Sequence, residues 1–301
     1  MDTQLQELRA LAGRAENRRT ETGIPRVAMV QGEIPEHQLA AVYDPMVNLI
    51  LTGSKTMSVA DQAFRYDPAT YFVMSVDLPA VGSVHPSVDG QPYLAVSLTL
   101  KPAIVANLLA DLPKPAGGGL YAAGFSVAPV TPDLLDAWVR MLRLMERPAE
   151  IAALAPAYER EILFRVLQGP MGWMLRDIAT PDTALSRVGI AIQWIRENFA
   201  RPLRVEALAE MAALSVSAFH RHFKAVTALS PLQYQKQVRL LHARSLLIAG
   251  EGSTTSIAFD VGYESPNQFS REYARQFGLP PSRDAAKLRG RADCLAPQHS
   301  H

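Results

Sequence analysis

Ser217, His220, Arg221 and Lys224 recur at i, i+3, i+4 and i+7, the spacing that gathers side chains on one face of a helix. Fifty residues further on, Asn267, Gln268, Ser270, Arg271 and Arg275 make a second polar set of similar character. These residue types suit the edges and backbone of a DNA duplex. Arginine matches the two acceptors of guanine, Asn or Gln matches adenine, and lysine or arginine pairs with phosphate. One such stripe would be an ordinary solvated helix face; two, with an arginine in the same register, call for a common explanation.

The elements that would carry these sets are themselves repeated. At an offset of 50 residues, Leu214 to Pro231 matches Glu264 to Pro281, with identities at Ser215/Ser265, Phe219/Phe269, Arg221/Arg271, Leu229/Leu279 and Pro231/Pro281. Upstream the offset becomes 49, where Leu208 meets Ile257 and Ala209 meets Ala258, so the second copy has one extra residue in its turn. Each copy reads as helix, turn, helix, over 205–227 and 255–277. Ser215 caps one second helix and Ser265 the other, where Gln268 completes the capping-box spacing. Phe219, Phe223 and Val226, and then Phe269, Tyr273 and Phe277, form the buried rows opposite the polar ones. Between the copies a helix over 231–249 starts at Pro231 and stops before Gly250. At ~1.5 Å per residue it spans about 28 Å, close to the ~34 Å between successive major grooves.

Charge follows the same division. The 301 residues carry 30 Lys+Arg against 29 Asp+Glu, yet residues 1–180 hold 15 basic and 19 acidic side chains and residues 181–301 hold 15 and 10. The basic surplus therefore accompanies the repeated helices. A single cysteine, Cys294, supplies neither an internal disulfide nor a zinc cluster, which points to a reducing, cytoplasmic setting. No window has the length of apolar sequence that a membrane span needs, so no membrane partner is expected. Residues 1–19 read as a short surface helix.

From Val27 to Leu100, short apolar runs alternate with turn residues, the pattern of a β-sandwich or barrel. A helix follows near 101–111, then a Gly- and Pro-rich loop over 112–131 containing Gly117 to Gly119. Thr131 and Pro132 open a further helix in which Leu135, Trp138, Leu142 and Met145 lie in one apolar stripe. That stripe either covers the β-core or serves dimerisation. Residues 158–178 read as a helical pair broken at Gly169-Pro170, and 179–182 as the linker between a domain over 1–180 and another over 181–301.

Catalysis finds little support. Metal-binding barrels use two or three histidines with a carboxylate, whereas this half has only His37 and His85, far apart. His220 and His222 are separated by about 200° on a helix and cannot share an ion. Cys294 stands alone, and Gly117 to Gly119 lacks the lysine and context of a phosphate loop. Neither a metal, a cofactor nor catalytic residues are expected, and a cupin-type metal enzyme is the weakest reading.

Over Arg187 to Pro281 the sequence resembles the AraC/XylS-type transcription regulators. Leu208-Ala209 with Ser215, Phe219 and Phe223 is similar to the family's first unit. Arg239-Leu240, Ala243 and Leu246-Leu247 resemble its connecting helix. Ile257-Ala258, Val261-Gly262-Tyr263, Ser265, Phe269-Ser270-Arg271 and Gly278-Leu279-Pro280-Pro281 resemble its second unit, with Tyr263 and Tyr273 where Phe is commoner. After Pro281 the usual aromatic-Arg pair is replaced by Ser282-Arg283-Asp284-Ala285. The stretch Tyr66-Asp67-Pro68 through Leu78-Pro79 resembles the cupin-like sensor domain of a subgroup.

The resemblance implies an α+β protein: an N-terminal cupin-like β-barrel with a helical layer, then an all-α domain with two helix-turn-helix units. It implies base contacts from Ser217, His220, Arg221, Asn267, Gln268, Ser270 and Arg271, with Lys224 and Arg275 at phosphates. Pro266, at the mouth of the second reading helix, would hold that unit back from the groove, and Arg239 would be structural. The expected function is sequence-specific transcription regulation, modulated by a small-molecule effector in the barrel. The alternative is a barrel that only mediates assembly. Expected partners are double-stranded DNA, an effector, a second copy of the chain and, for an activator, RNA polymerase.

Overall fold

A computed structural model describes residues 2–15, 19–32, 39–68, 70–113 and 123–295. The expected Gly117 to Gly119 loop and His37 lie outside the described residues. Among the described residues, the N-terminal half begins with α1 (Asp2–Ala12) and continues as ten strands: β1 (Arg19–Glu21), β2 (Val27–Gln31), β3 (Ala40–Tyr43), β4 (Met46–Thr52), β5 (Ser54–Val59), β6 (Gln62–Tyr66), β7 (Thr70–Met74), β8 (Leu78–His85), β9 (Leu94–Thr99) and β10 (Phe125–Pro129). They form a six-stranded sheet in the order β1-β2-β9-β4-β7-β10 and a four-stranded sheet in the order β3-β8-β5-β6. Every pairing is antiparallel.

The apolar runs read in the sequence become these strands, and their two kinds of burial follow from position. In β4, Met46 to Leu51 are buried without alternation, because one face meets the second sheet and the other a helical layer. In β5, Lys55, Met57 and Val59 turn inward while Thr56 and Ser58 stay half exposed, the period of two expected of a sheet with one wet face. The sheets meet where Phe64 of β6 packs edge-on against Phe125 of β10, centroids 5.3 Å apart.

Helix α2 (Pro102–Ala110) precedes β10, and α3 (Pro132–Arg143), α4 (Ile151–Gln168) and α5 (Gly172–Ala179) follow it. Thr131 caps α3 by accepting from the Leu134 amide at 3.3 Å, and Pro132 takes the first position, as expected. Helix α1 is a core element rather than a surface helix: Leu5, Leu8 and Leu11 bury themselves beside α3. The stripe on α3 has the same fate. Leu135, Trp138 and Leu142 are fully buried within the single chain, where α3 packs against α1 and α4, and Met145 is half-buried. Three of the four side chains expected to serve dimerisation therefore have no surface to offer a second copy.

The rest is helical: α6 (Ala184–Glu197), α7 (Val205–Met211), α8 (Val216–Thr227), α9 (Pro231–Ala249), α10 (Thr254–Asp260), α11 (Pro266–Phe277) and α12 (Pro281–Leu295). One hydrophobic core runs from Leu5 through the sheets and α6 to Val238 in the first half of α9. A second core begins at Leu240 and takes in α10, α11 and Ala285. The first helix-turn-helix thus shares a core with the β-sheets, and the second has its own.

Polar contacts reinforce that junction. The Gly124 amide donates to the Val226 carbonyl near the end of α8 at 2.9 Å, and the Tyr234 hydroxyl donates to the Asp77 carbonyl at 2.8 Å. Arg196 of α6 pairs with Asp44 at 2.6 Å and with Asp77. Burial and the adjacent Asp44 push the Asp77 carboxyl up to about 6, against the pull of Arg196.

Candidate nucleic-acid interface

Both helix-turn-helix units are built from the same local devices. In the first, α7 buries Leu208 and Ala209, Ala213 takes a left-handed φ of 51°, and the Leu214 amide donates back to the Ala209 carbonyl at 2.9 Å. In the second, α10 buries Ile257 and Ala258, and the Tyr263 amide donates to the Ala258 carbonyl at the same distance. Gly262 occupies that turn with φ 88°, and a Cβ there would stand 2.1 Å from the Ala200 carbonyl oxygen. Only glycine fits so close to another backbone.

Helices α8 and α11 then start on serine caps. Ser215 Oγ accepts from the Ala218 amide at 3.3 Å and Ser265 Oγ from the Gln268 amide at 3.4 Å. The capping box expected at Ser265 is half formed, because the Gln268 side chain reaches Glu272 Oε1 at 3.4 Å instead. A full box stands at the start of α9, between Ser230 and Gln233. Behind the caps the aromatic rows pack as the repeat predicts. Phe219 and Phe223 lie 5.5 Å apart, and Phe223 meets Tyr234 of α9 edge-on at 5.6 Å. Phe269 and Tyr273 lie 5.5 Å apart in the second unit.

With those rows turned inward, the opposite faces are presented to solvent. Ser217, His220, Arg221 and Lys224 are exposed on α8; Asn267, Gln268, Arg271 and Arg275 are exposed on α11, and Ser270 is half-buried. Among the described residues, none of Arg221, Lys224, Arg271 and Arg275 has an ion pair, so four cations stand free for an external anion. Helix α9, 19 residues long, joins the two sets. Arg239 is spent inside the protein, donating to the carbonyls of Phe199 at 2.7 Å, Ala200 at 3.2 Å and Arg201 at 3.0 Å.

The second unit holds a cluster that sequence reasoning missed. Arg244 of α9 pairs through Nε with Asp284 of α12 at 2.9 Å and through its terminal nitrogen at 3.3 Å. The Tyr273 hydroxyl donates to the same carboxylate at 2.8 Å, and the Arg244 guanidinium lies 4.3 Å from the centre of the Phe277 ring. Tyr273 and Asp284, two separate departures from the family pattern, are therefore one polar unit that ties α12 to α9 and α11. Tyr263 is explained in the same way: its hydroxyl donates to Glu272 at 2.9 Å, and Lys236 lies 3.5 Å from that carboxylate.

No group of three or more His, Cys, Asp or Glu among the described residues is arranged to hold a metal, and no helix among them is long and apolar enough to cross a membrane.

A family model described as the AraC-type transcriptional regulator N-terminus matches residues 23–174, and a helix-turn-helix domain model matches residues 208–286. The transcriptional activator RhaS of Escherichia coli O1:K1 is 32% identical over 145 residues, 47% of this chain and 51% of that protein. RhaS of Escherichia fergusonii is 34% identical over 144 residues, 46% of this chain and 51% of that protein. The chain spans about half the length of the curated relatives it matches. An apo form of ToxT from Vibrio cholerae superposes with a TM-score of 0.57 at 12% identity, covering 90% of this chain and all of that one. Unsaturated fatty acid-bound ToxT superposes with a TM-score of 0.53 at 13% identity, covering 88% and 95%. At such identity the likeness is one of fold.

Proposed function

The chain belongs to the AraC-type transcriptional regulators, and from that footing we propose that α8 and α11 read two successive major grooves of one DNA site. The observation that carries this reading is the pair of exposed polar faces, each backed by a buried aromatic row and each holding an arginine in the same register. Arg221 and Arg271 are the leading base contacts, with Ser217, His220, Asn267, Gln268 and Ser270 around them. Lys224 and Arg275 neutralise phosphates. Residues 1–180 sense and residues 181–301 read, a division supported by the two matched ranges lying on either side of it. Activation through RNA polymerase is supported by the description of RhaS as an activator.

Fluorescence anisotropy with sites selected from random DNA tests the reading. Arg221→Ala costs about 1 to 3 kcal/mol on the selected site and relaxes preference at one base pair, whereas Lys224→Ala lowers the salt dependence by about one ion. Equal losses for Arg221→Ala on selected and random DNA reject base reading. The N-terminal sheets hold a small-molecule effector, a reading supported by the fatty acid bound to the similarly folded ToxT.

A further inference from the structure

Gln268 stands on the exposed face of α11, three residues after the Ser265 cap, in the first turn from which a reading helix reaches base edges. Its amide is tethered. Nε2 donates to Glu272 Oε1, one helical turn on, at 3.4 Å. The other carboxylate oxygen of Glu272 is held from behind, by the Tyr263 hydroxyl at 2.9 Å and by Lys236 Nζ of α9 at 3.5 Å. Tyr263 is itself fixed: it is 6% exposed, its ring meets Phe269 edge-on at 5.3 Å, and the Arg239 guanidinium lies 5.9 Å from the ring centre. A chain of contacts thus runs from the turn and α9 through one carboxylate to one side chain at the surface.

The helix-turn-helix does not need that chain. At the matching positions the first unit has Leu214, Ala218 and His222 in place of Tyr263, Gln268 and Glu272, and it builds the same two helices and turn. Burial pushes the Glu272 carboxyl up, but the hydrogen bonds from Tyr263 and Gln268 and the charge of Lys236 outweigh it and hold the group below the usual carboxylate range, so it is ionised at neutral pH. An ionised carboxylate only accepts. The end of the Gln268 amide that meets it must therefore be the nitrogen, which removes the one ambiguity of a glutamine head, the exchange of oxygen and nitrogen by half a turn about its last bond.

Resting on the reading role given to α11 above, we propose that Glu272 is a positioning residue that fixes Gln268 with its carbonyl oxygen and one N–H outward and so makes it specific for adenine. Adenine offers one donor and one acceptor side by side in the major groove, the complement of that pair, whereas guanine offers two acceptors and opposes the oxygen. An untethered glutamine turns its amide over and meets guanine with the nitrogen instead. Discrimination at that base pair then depends on a carboxylate that touches no base.

The test uses the full chain and a site selected from random DNA, each base pair of it changed in turn, with binding followed by fluorescence anisotropy at one salt concentration. For the wild type, changing one A·T pair to G·C weakens binding about tenfold or more, and Gln268→Ala removes the preference at that pair, which identifies it. Glu272→Gln lowers the same preference to about threefold or less, while binding to random DNA is unchanged or tighter, because a negative charge beside the phosphates is gone. A carboxylate with a merely structural role would weaken every sequence alike. Tyr263→Phe keeps the ring but frees one carboxylate oxygen; it lowers the same preference in part and carries the test should Glu272→Gln unfold. The proposal is overturned if Glu272→Gln keeps the full preference, if it weakens all DNA equally, or if the pair identified by Gln268→Ala is not A·T. If Gln268→Ala changes no preference, Glu272 has no reader to position and the proposal falls, while Arg221→Ala and Arg271→Ala still decide whether the two helices read bases.

Discussion

Replacing Asp284 with alanine removes the carboxylate shared by Arg244 and Tyr273 and leaves both partners in place. The Arg244 side chain is 13% exposed and that of Asp284 4%, so solvent cannot take over the lost contacts. Deleting one member of a buried ion pair costs about 3 to 5 kcal/mol, because the remaining charge stays desolvated. The orphaned Tyr273 hydroxyl adds to that cost. Since every 1.4 kcal/mol is tenfold, the local opening equilibrium of the second unit should rise by at least about two orders of magnitude. Native-state hydrogen exchange reads this directly: amides of α11 and the first turns of α12 lose protection, while those of α8 keep theirs, because α8 belongs to the other core. Pairing the change with Arg244→Met should recover much of the loss, since the stranded charge goes too. Protection reduced less than tenfold, or reduced equally in α8 and α11, would refute both the energetic weight given to the cluster and the independence of the two cores.

Burial pulls the Lys55 ammonium down to about 8 in the folded protein, so the unfolded state binds more protons between about pH 8 and 10.5 and the fold gains stability across that window. The titratable groups facing it, Tyr43, Tyr66 and Tyr93, are all held above the ordinary tyrosine range by burial and stay neutral there. Chemical denaturation should show Lys55→Met more stable than wild type at pH 7, with that lead shrinking as pH rises to 10, and a constant lead would contradict the burial argument. Asp77 behaves oppositely: its folded value near 6 lies above the unfolded one, so its contribution is present below about pH 4 and lost as pH rises through 6. Measured the same way, the stability of Asp77→Asn relative to wild type should improve from pH 4 to pH 7. Gly262→Ala puts a methyl 2.1 Å from the Ala200 carbonyl at φ 88°, and should lower the Tm of the second unit by a cost of about 2 kcal/mol or more, read by calorimetry.

The helical third was legible because its signals are local. The bounds of α8 follow from Ser215 and the Phe219/Phe223 row, and those of α9 from Pro231 and Gly250; both lie within one helix and its caps. What periodicity leaves open is the partner of a buried face. The stripe of Leu135, Trp138 and Leu142 announces burial equally well whether α1 or a second chain covers it. Leu5, Leu8 and Leu11 carried the complementary stripe, hidden by the Gln, Glu and Arg between them. Asp284 was invisible for a different reason. Its partners lie 11 and 40 residues away, and only the fold brings the three together. Lys55 did leave a trace, since it alternates with Met57 and Val59 in a strand whose inward face is otherwise apolar.

The change of core within α9, between Val238 and Leu240, gives the molecule a mechanical asymmetry. The first helix-turn-helix is cast into the β-sheet body and moves with it. Its companion is held by the second half of that helix, by the Arg239 bonds to the carbonyls of Phe199, Ala200 and Arg201, and by the seat of Gly262 against Ala200. If the two units read one site as proposed, a change of spacing by one base pair would load those few contacts first, and tolerance to spacing would be set by them.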